Sequence, residues 1–246
     1  MTTPYRSTAE FYDRVYHYKD YAADVDRIRE IFNAHGVEEG AHVVEAACGT
    51  GNYLGHLSRF YGVSGFDCSP EMLGVARAKL PGVDLFQADM KDFSVLQPRD
   101  AIICLFSSIG YLLSKDDLES AARCFAAAVR PGGCVLIEPW ITVEGFDPGR
   151  PSVQMYNDEN LALARMSVSR MEEDVSVLDF NYMIAFRDHR VEHFQETHRL
   201  WMAPYDLLLS VFEEAGFEMH FEPAGLTDER GLLVGRRRDA PRGPLR

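Results

Sequence analysis

Apolar runs and helical patterns alternate along the first half of the chain. Five short runs of apolar and β-branched residues have the length and composition of strands. We assign them to His42–Glu45, Tyr61–Phe66, Val83–Gln87, Ala101–Phe106 and Cys134–Ile137. Apolar residues at helical spacing lie before and between these runs, as in Tyr21–His35 and Lys115–Val129. The alternation predicts an α/β fold with a mostly parallel sheet and helices on both of its faces.

The pattern changes after the fifth strand, where the helical spacing stops. Residues 150–200 instead alternate apolar and polar positions, which is typical of antiparallel strands with one wet face. The stretches of this kind are Leu161–Arg170, Val175–Phe186 and Arg190–Leu200. A helix over Pro204–Ala215 and two strands, Phe217–Phe221 and Gly231–Gly235, then close the main sheet. We therefore expect one domain over residues 1–235 with an antiparallel β insert near the site.

The N-terminal segment is rich in aromatic residues. They are Tyr5, Phe11, Tyr12, Tyr16, Tyr18 and Tyr21. A terminal segment with this composition exposes apolar surface unless it covers something. We predict that residues 5–35 form a helical lid over the site.

Residues 43–53 form the most informative segment of the chain. An apolar strand ends at Glu45, and Gly49 and Gly51 follow in a loop before a predicted helix. Glycine lets the backbone turn sharply and approach a ligand closely, and N–H groups at a helix start suit an anionic group. The spacing acid-x-Ala-x-Gly-x-Gly is typical of the S-adenosylmethionine loop of class I methyltransferases. The dinucleotide-binding loop differs, since it has a third glycine where Leu54 stands.

Other strand ends supply the remaining predicted cofactor contacts. Asp67 ends the second strand, where a carboxylate can accept hydrogen bonds from both ribose hydroxyls. An alternative for Asp67 taken alone is a helix-capping acid. After the third strand, Asp89 is suited to the exocyclic amine of adenine and Met90 to its ring. The predicted cofactor-binding positions are Tyr12, Tyr21, Glu45, Ala47, Gly49, Gly51, Asp67, Cys68, Met72, Asp89, Met90, Leu105 and Phe106.

Composition and charge exclude several classes of function. The net charge of −13 leaves no basic surface for nucleic acid. The tail over residues 236–246 is basic and is open to interpretation as an RNA hook, but its Arg/Pro/Gly composition favours a disordered end. No apolar run is long enough for a membrane span and no signal peptide is visible, so we predict a cytoplasmic protein. Five cysteines without a CxxC pair predict buried free thiols, and the scattered histidines predict no metal site.

Several short segments together carry a resemblance to a known family. They are Lys19–Tyr21, Ala47–Gly51, Asp89–Phe93, Phe106–Tyr111, Glu138–Trp140 and Arg230–Leu232. In these segments the chain resembles the class I methyltransferases that N-methylate nucleotide-linked amino sugars in antibiotic biosynthesis. The resemblance implies a seven-stranded Rossmann-like methyltransferase sheet and S-adenosylmethionine as the cofactor. It also implies that Tyr5, Tyr111 and Arg230 lie near the acceptor.

Methyl transfer needs few catalytic groups, because the donor is already activated and the enzyme contributes mainly positioning and desolvation. Tyr111 is a candidate to orient the acceptor, Glu138 a candidate base or amine-binding group, and His198 a further candidate base. Trp140 is a candidate to stack on a flat or cationic acceptor. Each has a structural alternative: a packed aromatic for Tyr111 and Trp140, a carboxylate bonded to a loop N–H for Glu138, and a structural imidazole for His198.

The first functional hypothesis is a small-molecule methyltransferase of secondary metabolism that acts on an amino-sugar nitrogen. The alternative acceptor is a flat aromatic or indole-type natural product methylated at nitrogen or carbon. A second class, a module that binds the cofactor without transferring methyl, is disfavoured by the full-length lid and insert. We also expect that the insert can pair with a second subunit, since its strands leave an open edge.

Overall fold

The computed structural model describes residue 5, residues 7–226 and residues 230–239. Its helices are α1 (Tyr12–Val15), α2 (Tyr21–Ala34), α3 (Asn52–Leu57), α4 (Pro70–Lys79), α5 (Lys115–Ala128) and α6 (Tyr205–Glu214). Its strands are β1 (His42–Ala46), β2 (Gly62–Asp67), β3 (Asp84–Gln87), β4 (Arg99–Cys104), β5 (Val129–Ile137), β6 (Pro151–Asn157), β7 (Leu161–Glu172), β8 (Val175–Phe186), β9 (Val191–Trp201), β10 (Phe217–Glu222) and β11 (Leu232–Arg237). Short 3₁₀ segments cover Ala9–Phe11, Ser108–Tyr111 and Val143–Gly145.

Seven strands form the main sheet, in the order β10-β11-β5-β4-β1-β2-β3. Strands β1 to β5 are parallel to one another, whereas β11 runs antiparallel to both β5 and β10. The loops that follow β1, β2, β4 and β5 therefore meet at one edge, where ligands bind in sheets of this kind. The predicted fold class is confirmed.

Helices cover both faces of the main sheet. On one face, α5 and α6 bury Phe125 and Phe212 completely. On the other face, α2 and α3 pack through Ile28, Phe32 and Leu57. Because both faces are covered, the strand ends and their loops are the part of the sheet that a ligand can reach.

The insert is a separate antiparallel sheet in the order β6-β7-β8-β9. Its first strand, Pro151–Asn157, was not predicted, because it is a short edge strand that begins with proline and pairs with β7 alone. One face of the insert packs on the N-terminal segment, where Phe11 and Val15 contact Leu163 and Tyr182. Residues 7–21, called the lid below, therefore share a small apolar core with the insert, whereas the rest of the predicted lid, helix α2, packs on the main sheet.

Most strand ends differ from the predicted ones by one or two residues, and the differences at β5 and β11 bear on the fold. Strand β5 begins at Val129 rather than Cys134, because Val129 pairs with Arg99 before a bulge in the ladder. Strand β11 ends at Arg237 rather than Gly235. The Arg237 guanidinium donates to the carbonyls of Ala126, Ala215 and Gly216, so the first residues of the predicted tail are folded. Residues 240–246 of that tail lie outside the described residues.

All five cysteines are free thiols. Three of them are buried as expected, but Cys68 is exposed and Cys124 is half-buried. Cys68 follows the last residue of β2 on the loop that leads to α4, so the sheet does not cover it. Within the described residues, no helix is both long enough and apolar enough to cross a membrane.

Candidate active site

A cavity that is partly open to solvent lies between the loops after β1 and β4 and the N-terminal segment. It is lined by Tyr12, Tyr21, Glu45, Ala47, Cys48, Gly49, Thr50, Asn52, Tyr53, Leu105, Phe106 and Ser108. Seven of the predicted cofactor-binding positions are among these residues. The cavity therefore stands at the edge of the sheet where the sequence predicted a ligand.

The glycine loop after β1 has the backbone shape that its sequence predicts. Gly51 has a φ of 76° and is the N-cap residue of α3. A Cβ atom at this position would lie 2.8 Å from Leu80 Cδ1. Gly49 has φ of 54°, and its N–H donates to Asp67 Oδ2 at 2.8 Å. Ala47 also has a positive φ, of 54°, although it carries a side chain. The loop is thus held in a conformation that costs energy, which is common where a backbone must face a ligand.

Two buried carboxylates, Glu45 and Asp67, lie at the ends of β1 and β2. Asp67 accepts hydrogen bonds from the N–H groups of Gly49 and Ser69, each at 2.8 Å. Burial nevertheless raises the pKa of Asp67, because it outweighs these bonds. Burial and the neighbouring Asp67 raise the pKa of Glu45 well above its usual range. Among the described residues, Glu45 Oε2 has no hydrogen-bond partner.

The loop after β4 is also strained, at Phe106 (φ 53°) and Ser107 (φ 61°). Glu138, which follows β5, accepts the Phe106 N–H at 2.7 Å, and the Ser107 hydroxyl donates to the Pro139 carbonyl at 2.8 Å. Glu138 is completely buried. The contact with the Phe106 N–H fits the structural alternative for Glu138, which is a carboxylate bonded to a loop N–H. Through this hydrogen bond Glu138 stabilises the loop after β4.

Arg230 and Trp140, two predicted substrate-binding residues, lie against each other beside this loop. The Arg230 guanidinium stands 5.0 Å from the Trp140 ring and donates to Ser107 Oγ at 3.0 Å. It is also 3.7 Å from Glu138 Oε1. The Trp140 indole N–H donates to Ser176 of the insert at 2.8 Å. The loop after β4 therefore has an arginine, a carboxylate and an indole on one side.

A chain of hydrogen bonds joins the other predicted acceptor residues. The hydroxyls of Tyr5 and Tyr111 are 2.9 Å apart, and the Tyr111 hydroxyl is 2.6 Å from His198 Nδ1. His198 Nε2 is 3.4 Å from Glu196 Oε2. The other carboxylate oxygen of Glu196, Oε1, accepts a hydrogen bond from the Thr8 hydroxyl at 2.6 Å. Burial raises the pKa of both tyrosines well above the ordinary phenol value. Sequence reasoning missed Glu196 and Thr8, which are 188 residues apart and carry no local motif.

The lid contacts the glycine loop through polar side chains. Asp13 accepts hydrogen bonds from Thr50 (2.6 Å), Asn52 (2.9 Å) and Lys79 (2.7 Å). The Lys19 ammonium, which is 2.7 Å from Asp24, lies between aromatic rings of the cavity wall. Those rings are Tyr21, Tyr53 and Phe106, at 5.7, 5.7 and 5.1 Å. Sequence reasoning assigned neither Asp13 nor Lys19 to the site.

Some predicted cofactor positions lie away from the cavity lining. Met90 is buried in the core, where the Cys104 thiol lies 3.7 Å from its sulfur, so it is not an open face for a ring. Met72 is also buried, in α4, and Cys68 is exposed. Asp89 is exposed and accepts the Lys91 N–H at 3.0 Å. The sequence pattern predicted that these residues lie near the edge of the sheet. It did not predict the directions in which their side chains point.

Comparison with known proteins decides the family. A profile of the methyltransferase domain family matches residues 43–133, from β1 into β5. The chain is 34% identical over 230 residues to dTDP-3-amino-3,6-dideoxy-alpha-D-glucopyranose N,N-dimethyltransferase of Streptomyces fradiae, and the match covers 92% of this chain and 89% of that protein. The chain belongs to this methyltransferase family. The resemblance found in the sequence is thereby confirmed.

Solved structures of related methyltransferases have the same fold. DesVI of Streptomyces venezuelae superposes with a TM-score of 0.88 and 32% identity, over 94% of this chain and 98% of that one. The amino pentose methyltransferase CalS10 of Micromonospora echinaspora, solved with S-adenosylmethionine bound, has a TM-score of 0.82 and 26% identity, over 96% and 99% of the two chains. The protein is therefore an S-adenosylmethionine-dependent methyltransferase.

The cavity of this methyltransferase has donors and acceptors that fit the cofactor. Glu45 lines the cavity, and its unpaired, buried carboxyl oxygen suits a cationic ligand. The rings of Tyr12, Tyr21 and Phe106 line the same space, and aromatic faces attract a sulfonium as they attract an ammonium. S-adenosylmethionine supplies a methyl group on such a sulfonium.

Proposed function

We propose that the protein methylates the amine of a nucleotide-linked amino sugar. The observation that carries this proposal is the match, over nine-tenths of the chain, to an enzyme named for that acceptor. The geometry is compatible with it, because the bonded hydroxyls of Tyr5 and Tyr111 form a polar end beside Tyr12 of the cofactor cavity. A phenol oxygen accepts a hydrogen bond from an amine N–H.

The roles of individual residues belong to the same proposal. Gly49 and Glu45 bind the methionine part of the cofactor, and Asp67 accepts the ribose hydroxyls. A carboxylate has about four acceptor positions, and Asp67 uses some of them for the N–H groups of Gly49 and Ser69, so the ribose hydroxyls would take the others. Tyr5 and Tyr111 orient the acceptor nitrogen, while Arg230 and Trp140 bind the remainder of the acceptor.

Binding of the cofactor tests the role of Asp67. Asp67→Ala should weaken binding of S-adenosylhomocysteine by about 1.5–3 kcal/mol, since hydrogen bonds to a charged group are lost. Isothermal titration calorimetry measures this, and a melting curve of the variant checks that it is folded. Unchanged affinity in a folded variant would contradict the assignment.

Product analysis tests the acceptor. The purified protein is mixed with S-adenosylmethionine and dTDP-3-amino-3,6-dideoxy-alpha-D-glucopyranose, and mass spectrometry follows methylation while S-adenosylhomocysteine release is measured. The matched control is the same sugar nucleotide with a hydroxyl in place of the amine, which we expect to remain unchanged. A panel of indole-type acceptors is run in parallel. Methylation of an indole without methylation of the amino sugar would overturn the proposal.

We further propose that two copies of the chain associate through the insert. The face of the insert that points away from the lid carries large apolar side chains on all four strands. They are Val153, Met155, Met166, Val168, Met183 and Val191, each more than half exposed. The ladder register places them on one side, since Val153 pairs with Met166 and Met183 lies across from Ala164. An apolar face of this extent is typical of a protein–protein interface.

A further inference from the structure

The side chains of Tyr5, Tyr111, His198, Glu196 and Thr8 form a chain of hydrogen bonds. The chemistry of these groups favours one direction of donation along it. A carboxylate can only accept, so the contact between Glu196 Oε2 and His198 Nε2 puts the hydrogen on Nε2. A neutral His198 then has a free lone pair on Nδ1, and the Tyr111 hydroxyl donates to it. The Tyr111 oxygen in turn accepts the Tyr5 hydroxyl. The Tyr5 oxygen is left as an acceptor at the end of the chain.

Glu196 is held in place from its other side. The Thr8 hydroxyl donates to Glu196 Oε1 at 2.6 Å, and both residues are almost completely buried. Three titratable groups contact the His198 ring: Tyr5 from the N-terminal segment, Tyr111 from the loop after β4, and Glu196 from β9 itself. The fourth neighbour, Phe180 of β8, has its ring centroid at 4.9 Å and carries no charge. Glu196 is thus the charged group that acts on His198 among the described residues.

We infer that Glu196 is a positioning residue that orients His198 as the proton acceptor at the end of the chain Tyr5–Tyr111–His198. This inference rests on the proposed function, because it takes an amine as the acceptor of the methyl group. It assigns a role in methyl transfer to the insert, which supplies both His198 and Glu196.

The proton balance of the reaction explains why such an acceptor is useful. The amine lone pair forms the N–C bond, and the electron pair of the S–C bond leaves with sulfur as S-adenosylhomocysteine. The nitrogen then carries a positive charge and one hydrogen too many. That proton passes to Tyr5 as Tyr5 passes its own to Tyr111, and Tyr111 passes its own to His198 Nδ1. His198 becomes an imidazolium that the Glu196 carboxylate stabilises.

The two tyrosines transfer the proton without remaining charged. Burial raises the pKa of both phenols, so each accepts one proton as it gives up another. After product release the proton returns along the same hydroxyls to water, and His198 is neutral again. For a second methylation of the same nitrogen, the bound ammonium must lose its proton first, so the chain matters most at that step.

The tautomer of His198 can be measured without any acceptor. In protein labelled with ¹⁵N-histidine, the two ring nitrogens have distinct chemical shifts, and His198→Asn identifies the signals of His198. We expect hydrogen on Nε2 and a bare Nδ1 in the native protein. Glu196→Gln should raise the population with hydrogen on Nδ1, because an amide N–H can donate to Nε2. Hydrogen on Nδ1 in the native protein would overturn the inference.

Kinetics provide the second readout, with Glu192→Gln as the matched control. Glu192 is on the same strand and is ion-paired with Arg190 at the surface, 2.6 Å away. Glu196→Gln should lower kcat for the amino-sugar nucleotide about tenfold or more, with little change in KM, and should release more of any singly methylated product. The pH profile of kcat should differ from that of the native protein, because an imidazolium at His198 loses the carboxylate that stabilises it. Glu192→Gln should leave these measurements unchanged.

The outcomes separate the inference from the proposed function. If the amino-sugar nucleotide is methylated but Glu196→Gln has the pH profile of the native protein, the role of Glu196 is wrong and the acceptor stands. If no amino-sugar nucleotide is methylated, the acceptor is wrong, and the tautomer measurement still decides whether Glu196 orients His198. Should Glu196→Gln fail to fold, Thr8→Val removes the donor to Glu196 and should shift both readouts in the same direction by a smaller amount.

Discussion

Glu45 presents a buried carboxylate oxygen to a cavity that takes a cationic cofactor. Its pKa is raised by burial first and by Asp67 second. A carboxyl whose pKa is higher in the folded than in the unfolded state binds its proton more tightly when folded. The free energy of unfolding therefore falls as pH rises from the ordinary carboxyl value toward the folded-state value. Above the ordinary carboxyl value, the raised pKa of Glu45 therefore lowers the stability of the cofactor-free protein, and a bound cation favours the ionised form.

Glu45→Gln should therefore separate stability from binding. We expect a Tm higher by a few degrees at neutral pH, since about 1 kcal/mol corresponds to roughly 2–4 °C in a chain of this size. The loss of Tm as pH rises above the ordinary carboxyl value should be smaller than in the native protein. Binding of S-adenosylmethionine should weaken about tenfold, or about 1.4 kcal/mol. Calorimetric melting and titration measure these effects, and Glu213→Gln on the exposed side of α6 should alter neither.

We expect Glu138 to act on the site through its hydrogen bond to the Phe106 N–H, which stabilises the loop after β4. Glu138→Gln keeps an oxygen for the Phe106 N–H but removes the charge beside Arg230, so we expect a lower Tm and a fall in kcat of less than about tenfold. Glu138→Ala should cost more, about 1–3 kcal/mol, because the Phe106 N–H loses its partner. Melting curves and steady-state rates measure both. A fall of about 10²-fold or more in Glu138→Gln with an unchanged Tm would instead indicate a general base.

Which site residues were predictable depends on how local their signals are. Gly49, Glu45 and Asp67 were predicted because the turn and the strand ends that position them are written in a few consecutive residues. Tyr5 was placed near Tyr111 by family resemblance alone. Glu196 was missed because its partner Thr8 is distant in sequence. Met90 lies in the core rather than in the cavity lining, because side-chain direction depends on the packing of the whole core.

At the scale of elements, the lid is the segment whose position depends most on the site. Residues 7–21 contain a short 3₁₀ turn and the four-residue helix α1, so they have little stability of their own. They are held by Asp13 at the glycine loop and by Phe11 and Val15 at the insert. Two of their tyrosines, Tyr12 and Tyr21, line the cofactor cavity. Cofactor binding should therefore add contacts to a weakly held element.

Hydrogen exchange should report this effect. Amides of residues 7–21 should exchange more slowly with S-adenosylhomocysteine present, because a ligand at about 100 times its Kd adds about 2.7 kcal/mol to the bound state. Asp13→Asn should speed exchange in the same segment without ligand, whereas Glu10→Gln, which changes an exposed carboxylate, should not. Mass spectrometry of proteolytic peptides gives the measurement. Equal exchange with and without ligand would make the aromatic segment ordinary core.

The elements themselves followed from their patterns where a pattern was complete. Strands β1, β2 and β4 are buried runs with clear ends, and α4 begins at Pro70 with Ser69 as its cap, as predicted. Strand β6 gave no comparable signal, because two of its apolar residues, Val153 and Met155, are exposed rather than buried. The tail prediction placed Arg237 outside the fold, yet its three carbonyl contacts close the end of β11.

At the scale of the molecule, three bodies meet at one cavity: the main sheet, the lid and the insert. The insert contributes Ser176 to Trp140, Arg165 to Tyr16 and His198 to Tyr111. All of these contacts use one face of the insert. Its opposite face has exposed apolar side chains on all four strands that nothing covers within the described chain, which leads to the proposed pairing with a second copy.

A pair of substitutions on that face should dissociate the dimer. Met166→Glu with Met183→Glu removes two large apolar side chains, each worth about 1.5–3 kcal/mol when buried, and places charges where no partner exists. We expect the dissociation constant to rise about 10²-fold or more, as measured by sedimentation or by light scattering during gel filtration. Met171→Glu is the control: it is exposed on the same strand but points to the other side, so it should leave the dimer intact. Because each chain supplies its own cavity residues, the dissociated protein should still bind S-adenosylhomocysteine. A native protein that is monomeric at all concentrations would contradict the pairing.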